Sequence, residues 1–139
     1  MILNEIPIRL RGHHLICLHF FTGEGYNPEF IENLGKIVAR ARSGETIEVC
    51  PGADDVCTLC PFLEDKRCRY NTHAENEIQK MDRDATALLR IGPGMKATWF
   101  DMQERLQGIF KRWSADYCRS CTWKAVCEKT PLYQEINGR

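Results

Sequence analysis

Cysteines are the residues whose number and spacing most clearly suggest chemistry. The chain contains eight cysteines in 139 residues, and two stretches each combine a Cys-x2-Cys pair with a third cysteine nearby. Two thiolates three positions apart can bind one metal ion or cluster from a tight turn. This spacing therefore predicts metal or cluster binding, with structural or redox-active thiols as the alternative. The six cysteines of the two stretches are Cys57, Cys60, Cys68, Cys118, Cys121 and Cys127.

Cys17 is distant in sequence from both stretches but follows a pair of histidines on a predicted helix. His13 and His14 precede it by four and three positions, which places them near the same helix face. One interpretation is a small buried thiol beside histidines that hydrogen-bond the backbone. The other is that His13 or His14 binds a metal or donates a hydrogen bond to a cluster sulfur. His19 and His73 lack a supporting pattern and are predicted to be structural.

The number of ligands limits how many metal sites the chain can complete. Two four-coordinate sites need eight ligands, so Cys17 and one further residue must join the six clustered cysteines. Cys50 or a histidine of the His13–His14 pair can be that residue. If neither is, one site keeps an open position, as catalytic centres do. The sequence matches neither a phosphate-binding glycine loop nor a Ser/His/Asp hydrolase, so whether the protein is an enzyme stays open.

Charged residues flank the cysteine stretches. Asp54 and Asp55 directly precede Cys57 and are predicted to form Asx-type turns that present this cysteine, rather than to bind metal. Basic residues lie beside both stretches, where positive charge lowers thiolate pKa values and offsets the charge of a thiolate-ligated centre. An ordinary solvated face explains them equally well. These basic residues are Lys66, Arg67, Arg69, Arg119, Lys124 and Lys129.

Composition indicates one compact domain spanning residues 1–139, with 43% hydrophobic residues. The 19 basic and 19 acidic residues cancel, which argues against nucleic-acid or membrane partners. The N-terminus lacks the apolar region of a signal peptide, and the longest apolar run, Leu15 to Phe21, is too short to span a bilayer. We therefore expect a cytoplasmic protein, in which thiols stay reduced and serve as metal ligands.

The sequence predicts a mainly helical α+β fold with about four or five helices, a few short strands and two cysteine-rich metal-binding loops at 50–68 and 118–127. Asn27 is predicted to cap one helix, and Thr72 with Glu75 to form a capping box for another. The predicted helices are Arg11–Phe21, Asn27–Arg42, His73–Arg90 and Asp101–Trp113. The predicted strands are Ile6–Leu10, Thr46–Cys50 and Lys96–Trp99.

Apolar stripes with helical spacing predict which faces of these helices are buried. On the first helix we expect Leu15, Ile16, Leu18 and Phe20 or Phe21 to be buried. On the second they are Phe30, Ile31, Leu34, Ile37, Val38 and Ala41. On the third they are Ala74, Ile78, Met81, Ala85 and Leu88, and on the fourth Met102, Leu106, Ile109, Phe110 and Trp113.

Together these motifs resemble one family of small bacterial and archaeal proteins. The motifs are Arg11-Gly12-His13-His14-Leu15-Ile16-Cys17, Phe21-x-Gly23-x-Gly25-Tyr26, Asp54-Asp55-Val56-Cys57-x2-Cys60-Pro61, Cys68, and Cys118-x2-Cys121-x-Trp123-x3-Cys127. From about residue 8 to residue 128, the chain resembles the domain-of-unknown-function 1284 family, which is thought to bind iron and sulfur. The resemblance implies that the seven cysteines other than Cys50 are ligands, with His13 and His14 as their neighbours.

The leading hypothesis is therefore an iron–sulfur protein with a role in electron transfer or redox sensing and an unidentified redox or protein partner. One [4Fe-4S] cluster is assigned to Cys17, Cys57, Cys60 and Cys68. A second centre, cluster or single metal, is assigned to Cys118, Cys121, Cys127 and an unnamed fourth ligand.

Two alternatives remain. In the first, the chain is a structural zinc module in which Cys57 and Cys60 pair with Cys118 and Cys121. In the second, a Cys-x2-Cys pair is a thiol–disulfide redox site. The second alternative is weaker, because the sequence does not indicate the βαβ unit that surrounds such a pair in thioredoxin-like proteins.

Overall fold

Strands and helices alternate in the first part of the chain, and helices dominate the rest. The computed structural model describes residues 6–21, 23, 27–52, 54–57, 63–64, 67–68, 74–118 and 127–137. The strands are β1 (Ile8–Arg11), β2 (Ile47–Cys50), β3 (Leu63–Glu64), β4 (Arg67–Cys68) and β5 (Lys96–Ala97). The helices are α1 (His14–Cys17), a 3-10 helix (Leu18–Phe20), α2 (Pro28–Arg42), α3 (Ala74–Leu89), α4 (Trp99–Tyr117) and α5 (Pro131–Asn137).

The prediction of a mainly helical α+β fold is confirmed by these elements. Much of the two predicted metal-binding loops lies outside the described residues. None of the helices among the described residues combines the length and the apolar composition that a membrane span requires.

A three-stranded sheet of order β1-β2-β5 forms the centre of the fold. β1 pairs with β2 in parallel, with Ile8 opposite Ile47 and Arg11 opposite Cys50. β5 pairs with β2 on its other side in the antiparallel sense. Because α1, the 3-10 helix and α2 connect the two parallel strands, residues 8–50 form a βαβ unit, which the sequence patterns did not predict.

The outer edge of β1 pairs with a turn instead of another strand. The Arg9 amide donates to Oδ2 of Asp55 at 2.8 Å, and the Asp55 amide donates back to the Arg9 carbonyl at 3.1 Å. The Arg11 amide donates to Oδ2 of Asp54 at 2.7 Å. The turn that precedes Cys57 is thereby fixed along the edge of the sheet.

The helix α2 agrees with its predicted cap and stripe. Oδ1 of Asn27 accepts a hydrogen bond from the Phe30 amide at 2.8 Å, and Pro28 occupies the first turn. All residues of the predicted apolar stripe are buried except Ile31, which is half-buried. The buried positions are Phe30, Leu34, Ile37, Val38 and Ala41.

The helix that was predicted to begin at Arg11 begins later. Arg11 is the last residue of β1, and the chain becomes helical only at His14. The strand extends to Arg11 because Arg11 pairs with Cys50 of β2 and the Arg11 amide donates a hydrogen bond to Asp54. The predicted burial on this segment is confirmed, with Phe20 as the buried aromatic residue. The buried positions of the predicted stripe are Leu15, Ile16, Leu18 and Phe20.

The buried face of α3 differs from the predicted apolar stripe. Ile78, Met81 and Leu88 are only half-buried. The helix is oriented so that two carboxylates, from Glu75 and Asp82, face inward toward the buried guanidinium of Arg11. Thr72 of the predicted capping box lies outside the described residues. The side chain of Ala74 lies outside the described residues, and the buried positions in the rest of α3 are Glu75, Asp82, Ala85 and Leu89.

The helix α4 begins before and ends after its predicted limits. Oγ1 of Thr98 accepts from the Asp101 amide at 3.3 Å and caps the helix, so Trp99 starts α4 instead of ending a strand. The helix continues to Tyr117, which makes Cys118 its C-cap residue. The predicted apolar face is buried except for the half-buried Ile109.

Aromatic side chains join the helices into one core. Phe20 and Phe110 have ring centroids 5.0 Å apart, and Tyr133 of α5 packs edge-on against Phe110 at 5.1 Å. His19 is buried against Trp99, with ring centroids 3.9 Å apart. Burial and the nearby positive charge of Arg42 lower the pKa of His19 to about 4 from 6.5.

The buried His19 predicts a loss of stability in mild acid. Unfolded chains protonate this imidazole below its ordinary pKa of 6.5, whereas the folded chain resists protonation until about pH 4. The unfolding free energy should therefore fall as the pH drops from 6.5 to 4, by up to about 3 kcal/mol from this residue. The His19→Gln variant should show a shallower slope in urea unfolding over this range. Identical slopes in both proteins would contradict the prediction.

Candidate metal centre

Asp54 organises the loop that presents Cys57. Its Oδ1 accepts hydrogen bonds from the backbone amides of Val56 at 3.0 Å and Cys57 at 3.1 Å. The predicted Asx-type turn is therefore present. Its Oδ2 accepts from the Arg11 amide and lies 2.6 Å from Nδ1 of His14. One buried carboxylate thus connects β1, the start of α1 and the cysteine loop.

Three side chains with different donor atoms converge at this loop. Ligand atoms of His14, Asp54 and Cys57 all lie within 4.8 Å of one another. An imidazole nitrogen, a carboxylate oxygen and a sulfur suit zinc and iron, and do not suit the oxygen-seeking calcium or magnesium. The sequence predicted only a turn at Asp54, whereas the structure also places its carboxylate among the donor atoms.

His13 forms a second histidine–carboxylate pair beside the first. Its Nδ1 lies 2.7 Å from Oδ1 of Asp82, which also accepts from the His13 amide at 3.0 Å. The rings of His13 and His14 are 4.2 Å apart between centroids, tilted by 48°. Their side chains are 13% and 14% exposed, whereas the carboxylates of Asp82 and Asp54 are 9% and 0% exposed. Each ring therefore has one nitrogen fixed by a buried carboxylate.

Arg11 is a buried cation that ties the carboxylates to the cysteine. Its Nε donates to Oδ2 of Asp82 at 2.7 Å, and its Nη2 to Oε2 of Glu75 at 3.3 Å. Its Nη1 lies 3.8 Å from the sulfur of Cys57. Burial opposes the charged guanidinium, but the charge of Asp82 and its hydrogen bond outweigh this and raise the pKa of Arg11.

Sequence reasoning did not identify Arg11, Asp82 and Glu75 as site residues. The sequence did contain an indication that Asp82 is buried. Asp82 lies four positions after Ile78 and three before Ala85, and therefore on the apolar face of α3. A charged residue on an apolar stripe needs a buried partner. The sequence offered no indication that this partner was Arg11, which lies 71 residues earlier.

The electrostatics favour a neutral thiol at Cys57 while no metal is bound. Burial and the negative charge of Asp54 raise the pKa of Cys57 to about 12, against the opposing effect of Arg11. The carboxylate of Asp54 stays ionised, because its contacts with His14, Arg11 and Cys57 outweigh burial and lower its pKa. Burial and the neighbouring His14 lower the pKa of His13 to about 4. A metal ion that binds Cys57 must therefore displace its proton.

The remaining cysteines of the first predicted site are only partly described. Cys17 ends α1 and is half-buried, and His13 and His14 are also half-buried. Leu15 and Ile16, which lie between His14 and Cys17, are buried. Cys60 lies outside the described residues, and so does the side chain of Cys68, whose backbone belongs to β4. The assignment of a cluster to Cys17, Cys57, Cys60 and Cys68 stays a prediction.

Cys50, which is outside the recognised motifs, lies in β2, within the residues that the structure describes. It is buried at the end of β2, and its sulfur donates a hydrogen bond to the Gly52 carbonyl at 3.5 Å. Burial and the charge of Asp54 raise its pKa to about 11.

Two cysteines of the second predicted site lie beside Tyr133. Cys118 caps the end of α4, and the carbonyl of Cys127 accepts from both the amide and the hydroxyl of Thr130. Burial, the charge of Cys118 and a hydrogen bond to Cys118 raise the pKa of Tyr133 to about 12. Cys121, between these two cysteines, lies outside the described residues, so this site also stays a prediction.

A family model described as a protein of unknown function, DUF1284, matches residues 25–127. The chain belongs to the DUF1284 family. The match confirms the resemblance noted in the sequence and includes six of the seven cysteines assigned as ligands there. The match begins after His13, His14 and Cys17 and therefore does not cover these three residues. No curated protein and no solved structure shows significant similarity to the chain.

A close approach of backbone to backbone sets the position of α3 against the site. A Cβ atom on Gly12 would lie 2.4 Å from the Asp82 carbonyl oxygen and 2.9 Å from its Cα. Only glycine therefore lets Asp82 come close enough to bind the Nδ1 of His13 and the guanidinium of Arg11.

The Gly12→Ala variant should be destabilised by about 1–3 kcal/mol, because backbone atoms of α3 must move away. The matched control is Gly35→Ala on α2, where the added methyl meets nothing within 4 Å. That control should be neutral or stabilising by up to about 1 kcal/mol. Chemical denaturation of both variants is the measurement, and equal stabilities would contradict the proposed role of Gly12.

Proposed function

We propose that the protein binds an iron–sulfur cluster at Cys57 and uses it in electron transfer or redox sensing with a redox partner in the cytoplasm. The supporting observation is the convergence of His14, Asp54 and Cys57 within 4.8 Å at a loop that continues into further cysteines. Cys17, Cys60 and Cys68 are the proposed companions of Cys57 as cluster ligands. Cys118, Cys121 and Cys127 are the proposed ligands of a second centre.

The charge around Cys57 supports this proposal. Thiolate-ligated clusters carry negative charge, and the buried guanidinium of Arg11, 3.8 Å from the sulfur, offsets it. Hydrogen bonds to cluster sulfurs and limited solvent exposure both adjust the reduction potential of such centres. Arg11 can donate such a hydrogen bond.

Zinc is the second candidate metal, and the mixed donor set is compatible with it. Histidine, aspartate and cysteine together match zinc sites as well as iron sites. A zinc protein would be colourless and would unfold when a chelator removes the metal. In that case the protein is an interaction module whose loops the metal holds in place.

The decisive measurement is the absorption spectrum of anaerobically purified protein, with iron, zinc and acid-labile sulfide quantified on the same sample. The cluster proposal predicts a brown protein with iron and sulfide in comparable amounts. A colourless protein with stoichiometric zinc and no sulfide would contradict the cluster proposal and support the zinc module.

The Cys57→Ser variant should lose a large part of the visible absorption and of the bound iron. The matched control is Cys50→Ser, since Cys50 is also buried in this region but bonds the Gly52 carbonyl, an interaction that serine retains. The control should keep the absorption of the wild type. Unchanged absorption and iron content in Cys57→Ser would exclude Cys57 as a ligand.

A further inference from the structure

Tyr133 on α5 lies beside two cysteines of the proposed second centre. The residue is 6% exposed, and its hydroxyl forms a hydrogen bond with Cys118. Cys127 is close enough for its charge to act on the same hydroxyl. Buried polar groups in folded proteins have hydrogen-bond partners, and the partner of this hydroxyl is a sulfur. The two ends of the predicted 118–127 loop therefore meet one side chain.

The direction of the Tyr133 hydroxyl is set by the packing of its ring and by the start of α5. The ring packs edge-on against Phe110 at 5.1 Å and against Phe20 at 5.6 Å between centroids. The Tyr133 amide donates to Oγ1 of Thr130 at 3.2 Å, and this hydroxyl donates to the Cys127 carbonyl at 2.8 Å. Contacts within the protein thus direct the phenol at the cysteines.

We propose that Tyr133 is a positioning residue of the second centre, whose hydroxyl donates a hydrogen bond to the Cys118 sulfur when this sulfur binds a metal ion or cluster. A metal-bound thiolate carries no hydrogen, so the hydroxyl is the donor of this bond. The inference rests on the proposed second centre at Cys118 and does not depend on a cluster at Cys57.

A hydrogen bond to a ligand sulfur changes the centre in two ways. It draws electron density from the sulfur, which in a cluster is one of the factors that set the reduction potential. It also stabilises the thiolate against the thiol and fixes the orientation of the ligand, and both effects favour metal binding. Loss of the Tyr133 hydroxyl should therefore weaken metal binding and strengthen electron donation from the Cys118 sulfur to the metal.

Anaerobic Co²⁺ titration of the full chain, after removal of bound metal with a chelator, tests this hydrogen bond. The Cys118→Ser variant identifies the cobalt at the second centre, because it removes one thiolate from the charge-transfer absorption of that ion. In Tyr133→Phe the affinity for this cobalt should fall about 10- to 100-fold. Its thiolate charge-transfer band should also move to longer wavelength, because the sulfur donates more strongly.

The matched control is Tyr117→Phe. Tyr117 directly precedes Cys118, but its hydroxyl donates to Asp84 on α3. This control loses a phenolic hydroxyl next to the site and should keep the cobalt affinity and the band of the wild type. Tyr133→Phe retains the aromatic ring, so its far-UV circular dichroism should match that of the wild type. Weaker binding in Tyr133→Phe without a shift of the band would indicate a packing role and overturn the hydrogen bond.

The remaining outcomes separate this inference from the proposed cluster. Equal affinity and an equal band in Tyr133→Phe and the wild type would overturn the role of Tyr133, whatever iron and sulfide Cys57 binds. Wild-type cobalt spectra in Cys118→Ser would overturn the second centre and this inference with it. A protein without iron or sulfide, in which Tyr133→Phe still shifts the cobalt band, would overturn the cluster and support the inference.

Discussion

A buried guanidinium is costly unless negative groups surround it, and Arg11 meets this condition with partners from separate parts of the chain. Its Nε and Nη2 reach Asp82 and Glu75 on α3, and its Nη1 reaches Cys57 in the loop after β2. A strand, a helix and a loop are therefore held at fixed positions by one side chain. The close approach of α3 to Gly12 follows from the same requirement. Removal of the cation would leave two buried carboxylates without their charge partner, which costs several kcal/mol in comparable buried pairs.

The two aspartates at the site each have two functions, one for each oxygen. Asp82 binds His13 with Oδ1 and Arg11 with Oδ2. Asp54 binds the backbone of the cysteine loop with Oδ1 and His14 with Oδ2. The ring positions are thus determined by groups that also hold the surrounding elements together. A site supported in this way is rigid before any ligand arrives, which lowers the cost of binding one.

The sequence predicted the features that depend on local periodicity. The cap and buried face of α2 and the apolar face of α4 followed from spacing within a single helix. Both strands of the βαβ unit were predicted, but their parallel pairing was missed, because pairing between strands so far apart in sequence leaves no local pattern. The charge network was missed because Arg11 and Asp82 are 71 residues apart, and pairing over such a distance leaves no periodic trace.

The turn at residues 54–57 has a further consequence for how the protein behaves among other copies of itself. β1 is an edge strand, and the amides of Arg9 and Arg11 are occupied by the carboxylates of Asp55 and Asp54. If the turn separates from the strand, these amides are left to pair with the backbone of another chain, the step that starts edge-to-edge aggregation. The same turn presents Cys57, so conditions that disorder the cysteine loop also remove the protection of the sheet edge. Pairing of this edge with a second copy of the chain therefore requires the loop that carries Cys57 to leave β1 first.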